Sequence, residues 1–429
     1  MLRLAVDAAR ITTFHKEQIY MTDALDAPVA PTTPKRSAPV AVVAALAVGA
    51  LVGGMSGAGV ALWASSANSG SEAVSTAGST TITVNDPADA TQVTAAVAKA
   101  TPSVVTISVT SDTAGGTGSG VVLSSDGYIL TNNHVVTLDG AAAEATIKVQ
   151  TSDGRLLSAT LVGGDPIADL AVIKVDGDGF IPAEFADSSK LNVGDTTVVI
   201  GAALGMAGSV SDGIVSALNR SITIASSALP EQSAAPDTVP GEDQPYDFFN
   251  FDIPGQTPST TASSGTISLA VIQTDAAINH GNSGGAVINT DGEIIGIAVA
   301  IASAGGGSDQ SGSIGIGFAI PSNYAQRIAD ELITTGTGTH GLLGASVVDV
   351  TEDEAQADAQ VVGASVVQLT LGGAAGNAGI QVGDIITAFD GVPITGKTDL
   401  TAQVRTFAAG STAGWRRRRD RIATRCHPP

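Results

Sequence analysis

The chain has 429 residues, 43% of them hydrophobic and 14% charged, with a formal net charge of −21 and a single cysteine, Cys426. This length holds two or three folded domains, and the apolar share excludes a wholly disordered chain. The acidic balance argues against nucleic acid as a partner, which needs clustered Lys and Arg, and one cysteine excludes a disulfide framework or a cysteine-based metal site.

Residues 1–37 are polar and irregular, with Pro28, Pro31 and Pro34, and read as a cytoplasmic tail in which Met21 offers a second start. Lys35 and Arg36 precede an uncharged stretch that lasts to Glu72. Its apolar part, 38–64, has the length of a membrane-crossing helix. The basic pair on its N-terminal side places the N-terminus inside and the remainder of the chain outside the cell membrane. A signal peptide cleaved near Ala64-Ser65-Ser66-Ala67 is the competing reading, but the apolar run is long for a signal core of about 7–15 residues. Residues 65–88, rich in Ser, Thr, Ala and Gly, read as a flexible linker.

A short helix is expected from Asp89 to Ala100, with Val93 and Val97 on one face. After Pro102 the texture changes to short Val/Ile/Thr-rich runs separated by Gly, Asp, Ser and Asn. They fall at 104–109, 120–123, 128–131, 146–149, 170–175, 197–200, 214–218, 269–273, 285–288, 294–300 and 315–319. Many short strands with turn signals predict an antiparallel barrel or sandwich. Two stretches interrupt them. One is 225–266, rich in Ser, Pro and Thr around the cluster Asp247-Phe248-Phe249-Asn250-Phe251, which is read as packing on the protein's own surface. The other is the Gly/Ser-rich 303–312. Ser322 is expected to cap a helix that runs to about Thr334, with Gly336 past its end. A smaller unit follows over 337–415, and the tail 416–429 carries six arginines.

Three sites carry chemistry. Gly281-Asn282-Ser283-Gly284-Gly285 has the form of a tight turn that presents a nucleophilic serine and aims backbone N–H groups at an oxyanion. His134, in Thr131-Asn132-Asn133-His134-Val135-Val136, is expected at a strand end, where an imidazole accepts the serine proton and later returns it to the leaving amine. The other histidines lie in terminal tails, beside the serine turn (His280) or at a domain boundary (His340). Asp169, opening the apolar run Leu170-Ala171-Val172-Ile173, is the carboxylate chosen to orient the imidazole. Asp165 is its competitor, although Asp165-Pro166 has the form of a turn pair. The chain order His, Asp, Ser is one of those known for such a triad.

These segments, with Gly118-Ser119-Gly120, Gly213-Ile214-Val215-Ser216-Ala217, Gln273-Thr274-Asp275-Ala276 and Ile316-Gly317-Phe318-Ala319-Ile320-Pro321, resemble the HtrA/DegP family of serine proteases over about residues 90–410. The resemblance implies a mainly β fold: two six-stranded antiparallel chymotrypsin-like barrels over 89–336, then a PDZ-like α+β domain. It implies an endopeptidase that cleaves unfolded or damaged extracytoplasmic proteins in quality control, commonly as a homotrimer, without metal or organic cofactor. It assigns the oxyanion hole to the Gly281–Asn282–Ser283 turn, through the N–H groups of Gly281 and Ser283. It places Ala277 at the floor of the specificity pocket, which suits Val, Ala or Leu at the cleaved residue. His280 and Ala286 stand where the family usually has Pro, and Gly201-Ala202-Ala203-Leu204-Gly205 replaces its usual Gly-Asn-Pro-type turn.

In the C-terminal unit, Gly341-Leu342-Leu343-Gly344 resembles a PDZ carboxylate-binding loop that holds peptide C-termini, Gly376–Ile386 resembles the following family text, and Thr398–Phe407 is the expected groove helix. The unit is expected to be incomplete: a closing strand is due after Gly410, and Trp415-Arg416-Arg417-Arg418-Arg419 stands there instead, read as the product of a shifted reading frame. A catalytically silent peptide-binding chaperone or scaffold is the alternative to the protease, but the three triad motifs are intact.

Overall fold

The computed structural model describes residues 82, 84, 90–112, 114–142, 144–227, 266–301, 313 and 315–418. The predicted tail 1–37, membrane helix 38–64, aromatic cluster 247–251, stretch 303–312 and everything beyond 418 lie outside the described residues. No helix among the described residues is long and apolar enough to cross a membrane.

Helix α1 (Gln92–Ala100) ends where predicted but begins three residues later than the expected Asp89. Thr91 caps it, its hydroxyl accepting from the Thr94 N–H at 3.1 Å, and Val97 is buried in the main core. Six strands then close a first barrel: β1 (Val104–Thr110), β2 (Gly115–Val122), β3 (Tyr128–Thr131), β4 (Thr146–Gln150), β5 (Leu156–Asp165) and β6 (Leu170–Val175), in the order β1-β2-β3-β6-β5-β4. A second barrel holds β7 (Thr196–Gly201), β8 (Ser209–Ala225), β9 (Thr266–Thr274), β10 (Ala286–Ile288), β11 (Ile294–Ile301) and β12 (Gly317–Pro321), in the order β10-β11-β12-β9-β8-β7. All barrel pairings are antiparallel. Closure leaves no unpaired edge, and alternate residues fill each interior. Ile107, Ile129, Val149 and Ile173 line the first, while one apolar cluster joins Val121, Leu130 and Val172 of the first barrel to Val198, Ile200, Leu269 and Ile288 of the second.

Two strand assignments change. The sequence reading has no strand at 156–165, yet β5 pairs with both β4 and β6. Its residues are largely half-exposed, and Gly163 and Gly164 follow a bulge, so the apolar periodicity there is weak. Strand β8 is 17 residues long, far beyond the predicted 214–218, and its upper half, Arg220–Ala225, pairs with Thr266–Val271 of β9 as an extended hairpin.

Helix α2 (Asn133–Thr137) follows β3 directly. Helix α3 (Ser322–Thr335) packs across β5, β6, β11 and β12 through Tyr324, Ala325, Ile328, Ala329 and Leu332. Gly336 ends it in the left-handed region as predicted, but Ser322 is no cap: Pro321 occupies that position and the Ser322 hydroxyl donates to the Ala186 carbonyl at 2.7 Å.

The C-terminal unit is a sheet of β13 (Ala345–Asp349), β14 (Ala364–Leu369), β15 (Ile385–Phe389), β16 (Val392–Pro393) and β17 (Trp415–Arg418), with helices α4 (Ala374–Asn377) and α5 (Lys397–Arg405). The expected gap is filled. Trp415–Arg418, predicted to interrupt the fold, pairs antiparallel with β15 as β17. Trp415 packs against the local core and the Arg417 guanidinium binds the buried Asp384 carboxylate. Backbone pairing supplies what apolar alternation does not. The sheet therefore runs past the predicted boundary at 415.

Candidate active site

Strand β3 ends at Thr131 and the chain turns at once into α2, so His134 stands in the first turn of a helix rather than in a strand. Its carboxylate partner comes from the turn between β5 and β6. Asp165 Oδ1 accepts from the N–H groups of Ile167 and Ala168 at 2.9 and 3.2 Å, which folds that turn and brings Asp169 to a φ of 51°. Aspartate tolerates this left-handed conformation better than most residues.

Asp169 is fully buried and surrounded by donors. Its Oδ2 lies 2.8 Å from His134 Nδ1, and its Oδ1 accepts from the His134 backbone N–H at 3.0 Å and from the Ser227 hydroxyl at 3.3 Å. Its main-chain carbonyl accepts from Asn132 Nδ2 at 2.8 Å and Asn133 N–H at 3.2 Å. A carboxylate at Nδ1 fixes the proton there and leaves Nε2 as the acceptor of the neutral ring. Burial pushes the His134 pKa down, but the charge and hydrogen bond of Asp169, with the charge of Asp139, outweigh it and hold the value above that of an ordinary histidine.

Ser283 sits in the turn before β10. Gly281 has a φ of 91° and Gly284 one of 82°, and a Cβ at either would strike a carbonyl, of Ala202 and Ser119 respectively, so both positions require glycine. Barrel one holds this turn through Ser119, whose hydroxyl donates to the Gly281 carbonyl at 2.6 Å and whose N–H donates to the Ser283 carbonyl at 2.8 Å. The His280 carbonyl is taken by the Leu204 N–H at 2.6 Å. In a trans peptide C=O and N–H point opposite ways, so the Gly281 N–H is turned away from Leu204. The Asn282 N–H is used within the turn, by the Asn279 carbonyl at 3.0 Å, and Asn282 Oδ1 is buried without a donor among the described residues. The Ser283 hydroxyl donates to the Val299 carbonyl at 3.2 Å. His134 and Ser283 face one cleft of about 390 Å³ between the barrels, also lined by Val135, Leu138, Leu204, His280 and Gly281.

The other expected residues are placed as follows. Asp165 does not approach His134; its Oδ2 lies 2.8 Å from His340 Nε2, at the junction with the C-terminal unit. Ala277 is exposed, lies outside this cleft, and accepts from the Ser211 hydroxyl through its carbonyl at 2.6 Å. Gly341, Leu342, Leu343 and Gly344 form the loop before β13, whose pairing in the sheet is with β14. The Gly341 N–H is spent on the Phe407 carbonyl at 2.6 Å, Leu342 is 77% exposed, and the Leu343 and Gly344 carbonyls are taken by Ala375 and Thr370. Ser119 and Ser227 carry contacts that residue pattern alone does not announce, because their partners are far away in sequence.

Two closed six-stranded barrels with a His–Asp pair and a serine turn at their cleft define a trypsin-like fold, here followed by a PDZ domain. The sequence matches the trypsin-like peptidase domain family over residues 118–297 and the PDZ domain family over 341–421. It is 40% identical over 324 residues to the serine protease PepD of Mycobacterium tuberculosis, covering 73% of this chain and 60% of PepD. It is 40% identical over 299 residues to the periplasmic serine endoprotease DegP of Escherichia coli K12, covering 68% of this chain and 52% of DegP. The chain thus spans about half to three-fifths of the length of these curated relatives. The solved HtrA-type protease AlgW with a tripeptide superposes with a TM-score of 0.51 at 32% identity, covering 73% of this chain and 88% of that one. The chain belongs to the HtrA family of serine proteases.

Proposed function

We propose that this chain is a membrane-tethered endopeptidase that cleaves unfolded extracytoplasmic polypeptides, with His134, Asp169 and Ser283 as its catalytic triad. The observation that carries the reading is the His134 ring, held by the buried Asp169 at 2.8 Å and facing the same cleft as Ser283. Turnover begins when the Ser283 hydroxyl rotates from the Val299 carbonyl toward His134 Nε2. The oxygen bonds to the scissile carbonyl carbon while Nε2 takes its proton. The N–H groups of Gly281 and Ser283 receive the oxyanion. The C–N bond then breaks as His134 protonates the leaving amine, leaving an acyl-enzyme. Water, deprotonated by the same imidazole, hydrolyses that ester and restores Ser283.

The periplasmic DegP relatives and the apolar run 38–64 support an extracytoplasmic protease on an N-terminal anchor. The open side of β13 beside α5 supports capture of a peptide C-terminus as an added strand, with the N–H groups of Leu342, Leu343 and Gly344 as carboxylate donors. The test is digestion of casein by the full chain and by its Ser283→Ala variant. Cleavage by the parent alone supports the reading; equal cleavage by both assigns the activity to a contaminant and removes Ser283 from the mechanism.

A further inference from the structure

Ser227 is fully buried and lies 58 residues along the chain from Asp169, yet it meets the catalytic pair from behind. The extended hairpin brings it there. After two bulges, β8 and β9 stay in register from Arg220 opposite Val271 to Ala225 opposite Thr266. Ile224 and Ile267, at that end, are buried in the same apolar cluster as Ala168 and Leu170, the two neighbours of Asp169. The hairpin is thereby packed down next to the β5–β6 turn, and Ser227 follows directly.

Its contacts address both halves of the pair. The Ser227 hydroxyl donates to Asp169 Oδ1 at 3.3 Å and accepts from Asn133 Nδ2 at 3.0 Å. Its carbonyl accepts from Asn133 Nδ2 at 3.2 Å and from the Thr137 hydroxyl at 3.4 Å, tying it to the helix that carries His134. Asp169 Oδ1 otherwise accepts only the His134 backbone N–H among the described residues, while Oδ2 serves the imidazole. A hydrogen bond to a buried carboxylate is among the stronger kinds, and a charge that keeps fewer donors is held less firmly.

We infer that Ser227 is a positioning residue of the triad: it holds the Asp169 carboxylate in the orientation that aligns His134, and the extended β8–β9 hairpin exists in part to deliver it. The inference rests on the triad reading above. It concerns orientation and not chemistry, since Ser227 touches neither substrate nor the reacting atoms.

The test uses the full chain with Ser227→Ala and Ser227→Thr, beside the parent and Ser283→Ala. Removing one donor to the charge lowers kcat about ten-fold. KM stays unchanged, the thermal midpoint falls by several degrees while the chain remains folded at the assay temperature, and the threonine variant, which restores the hydroxyl, recovers kcat. An unchanged kcat in Ser227→Ala overturns the inference. So does a loss that threonine does not rescue, or one that merely matches the fraction of unfolded chain at the assay temperature, because a merely structural serine gives those results. A second measurement does not depend on turnover: the low-field proton resonance of His134 Nδ1–H moves in Ser227→Ala and returns in Ser227→Thr. An identical resonance in parent and alanine variant overturns the inference by itself. Absence of Ser283-dependent cleavage in the parent sinks the triad reading instead, and the resonance then still decides whether Ser227 orients the pair.

Discussion

Two histidine–aspartate pairs among the described residues stand at the same separation. His134 Nδ1 and Asp169 Oδ2 stand 2.8 Å apart, and so do His340 Nε2 and Asp165 Oδ2. The two aspartates lie at opposite ends of a single turn. What separates the pairs is the far side of each ring. The imidazole of His134 faces the cleft that it shares with Ser283. His340 is enclosed: its Nδ1 lies 3.0 Å from the Arg405 carbonyl at the end of α5 and 3.4 Å from the Tyr324 hydroxyl on α3. Arg327 runs alongside, donating to the carbonyls of Thr339 and Thr406 and pairing with Glu331. The first pair therefore borders the cleft, and the second fastens the PDZ unit to the first barrel. The two pairs are alike in residue types and distance and differ in what surrounds each ring.

The largest effect that tests this contrast is loss of the nucleophile. Ser283→Ala is expected to lower the turnover of casein by several powers of ten, with Tm unchanged. Next comes Asp169→Asn, where an amide in place of the carboxylate no longer fixes the proton on Nδ1. Related triads lose about 10⁴-fold in kcat from that change, and a similar fall is expected here.

A smaller effect is expected in the pH profile. His134 is held above the ordinary histidine value of about 6.5, and it must be neutral to act as base. Turnover should fall as pH drops through the raised value, so the acid limb of kcat/KM lies above that of a free imidazole. The stability contribution runs the other way: it is fully present below the unfolded value and is lost as pH rises through the folded one. An NMR titration of His134 in Asp169→Asn should show the value dropping, because the charge that raises it is gone.

The smallest effect on turnover belongs to the second pair. His340→Ala should reduce unfolding stability by about 1–3 kcal/mol while changing kcat by no more than a few-fold. Urea unfolding beside the casein assay checks both. Asp165→Ala should cost turnover as well, since its other oxygen folds the turn that carries Asp169. If His340→Ala silences the enzyme as fully as Asp169→Asn, the contrast between the pairs fails.

Sequence carried the site further than it carried the fold's details. The serine turn, His134 and the β-rich texture are local signals, readable from glycines and from runs of Val and Ile. The preference for Asp169 over Asp165 rests on the Asp165-Pro166 turn signal, the apolar run that Asp169 opens and the family resemblance; what the sequence does not show is that Asp165 has a partner of its own in His340. Strand β5 escaped because its Leu, Ser, Ala and Thr residues lie half in solvent and its glycines weaken the periodicity. Ser227 escaped for a different reason. Its partners, Asn133 and Asp169, lie 94 and 58 residues away, and a serine in a Ser-rich stretch carries no mark of being buried.

Strand β17 shows how little of a sheet is dictated by side chains. Main-chain N–H and C=O groups recognise one another whatever residues they carry, so a border position accepts an unfamiliar text provided a few anchors hold it. Here one indole seated on the core and one guanidinium on Asp384 suffice, and Arg416 and Arg418 of the strand are exposed. The margin of this domain thus displays positive charge on a protein that is otherwise strongly acidic.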